Sequence, residues 1–220
     1  MADNRTQKTH LKIAKQHDYI AYCKDGEYLL NLVGRYDYME FSYFNSQELE
    51  NAGLIVHPTC KEMLDAYITP ILLAKAGTNG IPVPAYYISN GYFEPPVIID
   101  PVNPFMIKSR TVLSCNNTEK IAKSMTRNYT YAICCQELPP DAKVRRFRSI
   151  LGWSINRQFR TLSSIIWNVF KIPLAIVRTV ILKDGEILLS DISPLPFEDL
   201  NKKELDYLTE KCNGENRRFY

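Results

Sequence analysis

Two parts of the chain show the pattern of a β-hairpin, in which two apolar runs flank a short polar turn. Residues 18–23 (DYIAYC) and 28–33 (YLLNLV) flank one such turn, and residues 174–182 and 186–192 flank another. Each turn contains an Asp-Gly pair, which adopts the positive φ angles of a tight hairpin turn at little cost. The pattern therefore predicts one antiparallel hairpin near each end of the chain.

Apolar residues at intervals of three and four predict the helices. The strongest such pattern covers residues 154–170 and ends before Pro173. Another helix is predicted after Thr59, because Glu62 follows three residues later, as a capping box requires. Pro70 should kink or end that helix. Two shorter helices are predicted at residues 117–125 and 201–211.

The remaining apolar runs predict strands. Residues 97–100, 111–114 and 130–136 are short runs of this kind, and residues 144–153 alternate charged and apolar positions, which indicates one solvated face. Residues 34–53 show neither period and are expected to be irregular. The order of the elements predicts an α+β fold class, with mostly antiparallel sheets backed by helices.

The same pattern divides the chain into four segments. Residues 1–17 are polar and basic and are expected to be an N-terminal tail. Residues 18–57 form an N-terminal strand region, and residues 58–212 form the core of the protein. Residues 213–220 are expected to be a C-terminal tail.

The composition is that of an ordinary soluble globular protein. Of 220 residues, 45% are hydrophobic and 23% are charged, and the formal net charge is +3. Because Asp and Glu nearly balance Lys and Arg, a nucleic acid partner is not expected. No apolar run of membrane-spanning length and no apolar N-terminal signal is present, so a cytoplasmic protein without a membrane partner is expected.

The cysteines give no sign of a metal site or a disulfide framework. No pair has C-x-x-C spacing, and none of the three histidines stands at ligand spacing, so no zinc site is predicted. In a cytoplasmic protein all six are expected to be reduced thiols. They are Cys23, Cys60, Cys115, Cys134, Cys135 and Cys212.

Two basic clusters are candidate anion-binding sites. Lys108 and Arg110 directly precede a predicted strand, and Arg146 and Arg148 share one face of another strand. Cations on rigid strands bind phosphate or carboxylate groups well. The alternatives are a solvated strand face, or a register in which Arg145 on the opposite face takes this part.

Asp191, at the end of the last predicted strand, is a candidate metal ligand. A carboxylate at a strand end offers Mg²⁺ the oxygen ligand that it prefers. The alternative is that Asp191 caps a turn. No Walker, G-x-G-x-x-G, G-x-S-x-G or H-E-x-x-H motif accompanies these clusters.

Six short segments between about residues 50 and 210 follow one another in a distinctive order. They are the extended Gly80-Ile81-Pro82-Val83-Pro84, the strand Val97-Ile98-Ile99-Asp100-Pro101, the strand end Cys135-Gln136-Glu137-Leu138, the strand Val144-Arg145-Arg146-Phe147, the hairpin strand 174–180, and Asp191-Ile192-Ser193-Pro194-Leu195-Pro196. This order resembles that of ATP-grasp proteins of the RimK-like, carboxylate–amine ligase type.

The resemblance implies a nucleotide site. Gln136 and Glu137 would lie at the hinge that contacts adenine, and Lys108 and Arg110 would contribute phosphate contacts. The implied cofactors are ATP and Mg²⁺, with Asp191 as a metal ligand. Nothing in the resemblance implies zinc, haem or flavin.

The sequence also departs from the ATP-grasp pattern at positions that matter for catalysis. Asp100 replaces the strand lysine that touches the nucleotide phosphates, and Arg178 replaces the hairpin acid. The phosphate-covering loop at residues 102–110 has no glycine, and Ser193 replaces a metal-binding Asn. Because phosphoryl transfer depends on positioning and charge neutralisation, the sequence indicates either a diverged ligase or a catalytically inactive relative.

Two functions remain open from the sequence. The first is an ATP-grasp-like protein that binds a nucleotide or a small anion. The second is a non-catalytic interaction module, because aromatic residues cluster in one segment that could pack inward, on a protein partner or on a second copy of the chain. These residues are Tyr36, Tyr38, Phe41, Tyr43 and Phe44.

Overall fold

The computed structural model describes residues 19–23, 28–38, 40–103 and 109–212. The strands in this part of the chain are β1 (Ile20–Tyr22), β2 (Leu29–Asn31), β3 (Val56–His57), β4 (Tyr86–Ser89), β5 (Val97–Pro101), β6 (Arg110–Val112), β7 (Ile133–Glu137), β8 (Lys143–Ile150), β9 (Leu174–Ile181) and β10 (Ile187–Pro194). The helices are α1 (Phe41–Asn51), α2 (Cys60–Tyr67), α3 (Thr69–Thr78), α4 (Thr118–Met125), α5 (Arg160–Phe170) and α6 (Lys202–Lys211). The two expected tails lie outside the described residues.

The strands form three sheets whose neighbours are antiparallel, except that β2 and β3 are parallel. The sheet orders are β1-β2-β3, β4-β7-β5-β6 and β10-β9-β8. The α+β class with mostly antiparallel sheets is therefore confirmed. No helix among the described residues combines the length and the apolar character needed to cross a bilayer.

The predicted capping box and proline break determine where α2 and α3 begin and end. The hydroxyl of Thr59 accepts a hydrogen bond from the backbone N–H of Glu62 at 3.1 Å, and the Thr59 N–H donates to the Glu62 carboxylate at 2.7 Å. Pro70 lies in the first turn of α3, where its missing N–H has no helical partner to lose. The single helix that we predicted after Thr59 is thus two helices.

Helix α1 corrects the expectation that residues 34–53 are irregular. Its buried face is polar, with Ser42, Asn45 and Ser46 buried, so the spacing of apolar residues does not reveal it. Asn31 on β2 holds this face, because its Nδ2 donates to the Ser42 carbonyl at 2.8 Å and to the Ser46 hydroxyl at 3.0 Å. Hydrogen bonds from the Asn31 side chain therefore hold the buried face of α1, where apolar contacts would hold an amphipathic helix.

Two large apolar cores hold the helices against the sheets. The larger core packs the β8–β10 sheet and the N-terminal sheet against α2, α3, α5 and α6. The smaller core packs one face of the β4-β7-β5-β6 sheet against α4. The other face of that sheet is directed at β9 and β10, and this interface between sheets defines the site.

Candidate functional site

Alternation along β5 places its side chains on the two faces of the four-stranded sheet. Val97 and Ile99 belong to the core against α4. Ile98 and Asp100 are directed at the opposite face, where Ile98 contacts an apolar cluster and Asp100 bonds to β9. The two antiparallel sheets therefore meet through alternate residues of β5.

Asp100 and Arg178 form a bidentate ion pair across this interface. Nη1 of Arg178 donates to Oδ1 of Asp100 at 3.0 Å, and Nη2 donates to Oδ2 at 2.7 Å. Asp100 is 4% exposed and Arg178 is 2% exposed. Burial raises the pKa of Asp100, and the guanidinium of Arg178 opposes that rise. Both charges are removed from water, so each depends on the other.

Gln136 and Ser190 complete the polar network around the ion pair. Nε2 of Gln136 donates to Asp100 Oδ2 at 2.7 Å and to the Ser190 carbonyl at 2.9 Å. The Ser190 hydroxyl donates to Gln136 Oε1 at 2.9 Å and accepts from Arg178 Nε at 2.9 Å. The network therefore joins four strands, β5, β7, β9 and β10, across both sheets.

Apolar side chains close the interface next to this network. Ile98 on β5, Leu138 after β7, Val180 on β9 and Leu188 on β10 form one buried cluster. Leu138 follows directly after the residues that we predicted to be the adenine hinge. Apolar side chains thus fill the space between the sheets beside the predicted hinge.

A cavity of about 650 Å³ opens on the other side of the ion pair. Its walls are residues 36–38, the junction of α2 and α3, the end of β5 and the end of β10, with Arg146 on β8. Gly34 allows the segment that leads into residues 36–38 to lie against the chain directly after β10. Its φ is +80°, and a Cβ at this position would lie 2.0 Å from the Leu195 carbonyl oxygen. The volume suits a small molecule.

Charged residues stand in a row across the sheet that forms the cavity floor. Arg146 faces Arg178 in register, and Arg178 faces Asp191. Arg178 is buried beneath the cavity, whereas Arg146 and Asp191 line it. Two strand spacings, roughly 10 Å, separate their backbones. Arg146 is exposed and forms no ion pair with any other described residue.

A second carboxylate and a buried hydroxyl stand on the same side as Asp191. Burial, together with Glu40 and Asp191, raises the pKa of Asp37. The Tyr67 hydroxyl is buried and has no hydrogen-bond partner among the described residues. Burial raises the pKa of Tyr67 far above its ordinary value, with Tyr36, Asp37 and Asp191 adding to the rise. This side of the cavity is therefore negative, and it offers a neutral hydroxyl group.

Two of the predicted site residues, Arg146 and Asp191, meet at the cavity. Gln136 is fully buried in the ion-pair network and faces no open space. Arg148 lies away from the cavity, because its Nη1 donates to the Glu204 carboxylate at 3.0 Å and to the Asp199 carbonyl at 2.9 Å. The structure therefore separates two arginines that alternation alone places on one face.

Two further predicted contacts, Glu137 and Arg110, are not brought to the cavity. Glu137 is exposed at the end of β7. Arg110 is exposed on β6, beside a separate shallow cavity that it shares with Lys120. Lys108 lies outside the described residues.

The sequence did not identify Asp37 or Tyr67 as site residues, and it did not show that Asp100 belongs to a buried ion pair. The signal for Asp100 was present, because it and Arg178 both replace family residues with residues of the opposite charge. Two such reversals together indicate an ion pair. Asp37 and Tyr67 come from segments that carry no motif, and only the fold brings them together.

The aromatic segment divides between the interior and the surface. Tyr36 is fully buried and donates a hydrogen bond to the Asn31 carbonyl at 2.6 Å. Tyr38, Phe41 and Phe44 are exposed by 40–47%. Tyr36 and Tyr38 also line the cavity, so this segment contributes to the site.

Solved structures with the same fold confirm the expected ATP-grasp architecture. A RimK-domain ATP-grasp protein from Sphaerobacter thermophilus is 15% identical, with a TM-score of 0.55 over 75% of this chain and 70% of that one. The D-alanine–D-alanine ligase of Helicobacter pylori is 14% identical, with a TM-score of 0.56 over 77% of this chain and 68% of that one.

The D-alanine–D-alanine ligase of Coxiella burnetii is 11% identical, with a TM-score of 0.52 over 75% of this chain and 59% of that one. Comparisons with known protein families and with curated proteins give no match. The chain therefore has the ATP-grasp fold, which it shares with carboxylate–amine ligases.

The residues that the family resemblance assigns to the nucleotide do not fit the ATP and Mg²⁺ that this fold implies. Leu138, which follows the predicted hinge, is buried in an apolar cluster, and Asp100, which replaces the lysine of the family pattern, is a buried carboxylate. Asp191 accepts a hydrogen bond from the Ser193 hydroxyl at 2.6 Å. The described residues contain no group of three or more His, Cys, Asp or Glu that could hold a metal ion.

Proposed function

We propose that this chain is a non-catalytic ATP-grasp protein that binds a small zwitterion, of the size of a dipeptide, in the cavity beside the closed sheet interface. The observation that carries the proposal is the separation of charge across that cavity. Arg146 supplies a cation that forms no ion pair with another described residue on one side, and Asp37 and Asp191 supply carboxylates on the other. A ligand with one ammonium and one carboxylate group complements both sides.

The closed interface supports the non-catalytic part of the proposal. Nucleotide binding at the family position would require the buried pair of Asp100 and Arg178 to separate and the cluster around Leu138 to open. Separating a buried ion pair leaves uncompensated charges and costs about 3–5 kcal/mol. Phosphates placed against Asp100 would also meet a negative charge. A phosphoryl-transfer step therefore has no support from these residues.

The distance across the cavity supports a ligand longer than one amino acid. The backbones of Arg146 and Asp191 are roughly 10 Å apart, and an extended dipeptide spans roughly 7 Å. The side chains of the two residues can cover the difference. The Tyr67 hydroxyl, buried and without a partner among the described residues, offers the ligand a hydrogen bond. The tyrosine rings of the wall offer an apolar surface for its side chains.

The proposal is tested by calorimetry with five probes. At least one of the two enantiomers, D-alanyl-D-alanine and L-alanyl-L-alanine, should bind. The N-acetylated form and the C-terminal amide of that dipeptide should each bind more than tenfold more weakly, because each lacks one charge. ATP with Mg²⁺ at millimolar concentration should give no heat. Heat from ATP, or equal binding of the blocked and free dipeptides, contradicts the proposal.

Replacing Arg146 by Gln should weaken binding of the dipeptide more than tenfold, which is about 1.4 kcal/mol. The melting temperature should change little, because Arg146 is exposed and forms no ion pair with another described residue. The matched control is Arg145→Gln, on the opposite face of β8, which should leave affinity unchanged. Equal effects of the two substitutions would remove Arg146 from the site.

The affinity for the dipeptide should fall as the pH is lowered from 7 to 4.5. The ammonium group binds ionised Asp37, whose pKa lies above its ordinary value of 3.8, so Asp37 takes up a proton earlier than an exposed Asp does. Binding expels that proton, and affinity therefore rises with pH across this window. Asp37→Asn should weaken binding and flatten the profile. A profile that Asp37→Asn leaves unchanged would assign the titration to another group.

A further inference from the structure

Two cysteines from opposite ends of the described chain lie directly opposite each other in the fold. Cys23 at the end of β1 and Cys212 after α6 form an isolated antiparallel bridge. Both are buried, and both belong to the main apolar core. No local pattern connects them, because most of the given sequence lies between them.

The backbone hydrogen bonds show which kind of pair this is. The N–H of Cys23 donates to the Tyr28 carbonyl at 3.1 Å, and the N–H of Cys212 donates to the Leu208 carbonyl at 3.0 Å. The backbone hydrogen bonds of the described residues include none between the two cysteines. Opposite residues that exchange no hydrogen bonds are the closer kind of antiparallel pair, with Cα atoms about 4.5 Å apart and side chains on the same face. A disulfide requires Cα atoms roughly 4.4–6.8 Å apart.

The other cysteines lack such a partner. Cys134 and Cys135 are neighbours on β7, and alternation directs them to opposite faces of the sheet. Cys135 contacts the core against α4, whereas Cys134 lies on the face that carries Asp100. Burial raises the pKa of the Cys60 thiol to about 11, so it is a poor nucleophile. Cys115 is exposed, whereas Cys23 and Cys212 are buried.

We propose that Cys23 and Cys212 are a reversible dithiol–disulfide couple that fastens β1 to the end of α6. The oxidant is a low-molecular-weight disulfide such as oxidised glutathione. One cysteine thiolate attacks it and releases one glutathione thiol, and the second cysteine then displaces the other. Two protein thiols and one oxidised glutathione thus become one protein disulfide and two reduced glutathiones.

Local opening of β1 would give the oxidant access to Cys23. Strand β1 has three residues, and β2 is its only partner strand among the described residues. An element with so few hydrogen bonds opens locally far more easily than the core does. The bond, once formed, would close a loop of nearly the whole chain, which is the case in which a disulfide restrains the unfolded state most.

The test is refolding of the full chain from urea in a glutathione buffer that contains equal reduced and oxidised forms, so that burial does not limit access. After acid quenching, alkylation and tryptic digestion without reductant, mass spectrometry should find residues 16–24 joined to residues 212–217 in more than half of the molecules. The oxidised chain should melt roughly 10 °C above the reduced chain. Cys23→Ser and Cys212→Ser should each abolish the joined peptide and this difference, and the control Cys115→Ser should retain both.

Three results would overturn the proposal. The first is a joined peptide in less than one tenth of the molecules. The second is a dominant disulfide between other cysteines. The third is an equal yield of the joined peptide from chains kept in urea, which would mean that the fold does not bring the two thiols together. Dipeptide binding plays no part in any of these readouts.

Discussion

Replacing Arg178 by Met is expected to lower the free energy of unfolding by about 3–5 kcal/mol, the loss typical of removing one member of a buried ion pair. The substitution leaves the Asp100 carboxylate buried without a counter-ion, and it removes the guanidinium donor from the Ser190 hydroxyl. The apolar methionine has nearly the length of the arginine stem. The loss therefore arises from the unpaired charge and not from a large cavity.

Urea denaturation at pH 7 measures this loss. The matched control is Lys183→Met, in an exposed ion pair with Asp141 whose side chains are 84% and 71% exposed, and it should cost less than about 1 kcal/mol. The double variant Asp100→Leu/Arg178→Met should recover most of the stability, because no buried charge then remains between the two sheets at this position. A single substitution at Arg178 that costs no more than the control would show that the ion pair does not hold the sheets together.

The double variant also separates two reasons for the absence of a nucleotide site. If the ion pair alone excludes the nucleotide, a chain without it should bind ATP. If the apolar cluster of Ile98, Leu138, Val180 and Leu188 also fills the position, ATP should remain unbound. We expect no ATP binding by the double variant, because leucine and methionine add apolar volume at the same interface.

Local patterns predicted the elements whose folding depends on neighbours in sequence. The capping box of Thr59 and Glu62 and the antiparallel hairpin of β9 and β10 follow from spacings of a few residues. Helix α1 could not be predicted this way, because its buried side is held by Asn31 from another element. A regular spacing of apolar residues indicates a helix that packs on an apolar core. A helix whose buried side is polar shows no such spacing.

The candidate site was predictable only where a family pattern or strand alternation marked it. Alternation placed Arg146 and Arg148 on one face, and Arg146 does line the cavity. The position of Glu204, which is far along the chain and binds Arg148, cannot be derived from alternation. Asp37 and Tyr67 meet Asp191 only in the folded chain. A sequence shows which residues share a face, but not which partner stands opposite them.

Glu204 is a partner that the sequence does not reveal, and its loss should lower the stability of the fold. Its carboxylate accepts hydrogen bonds from the Asn201 N–H at 2.9 Å and from Arg148 Nη1 at 3.0 Å, and its side chain is 2% exposed. It is also the third helical residue in the capping box of α6. Glu204→Ala should therefore lower the free energy of unfolding by about 2–4 kcal/mol, because it removes two hydrogen bonds to a buried charge.

The control for Glu204 is Glu198→Ala, in an exposed ion pair with Arg35, which should cost less than about 1 kcal/mol in the same urea titration. Arg148→Gln should lower stability by about 1–3 kcal/mol, since Glu204 keeps its backbone donor but loses its cation. The same variant should bind the dipeptide with unchanged affinity. Arg146→Gln, in contrast, should weaken dipeptide binding and leave the stability nearly unchanged. Weaker dipeptide binding by Arg148→Gln at unchanged stability would place Arg148 in the ligand site and contradict the structural part assigned to it.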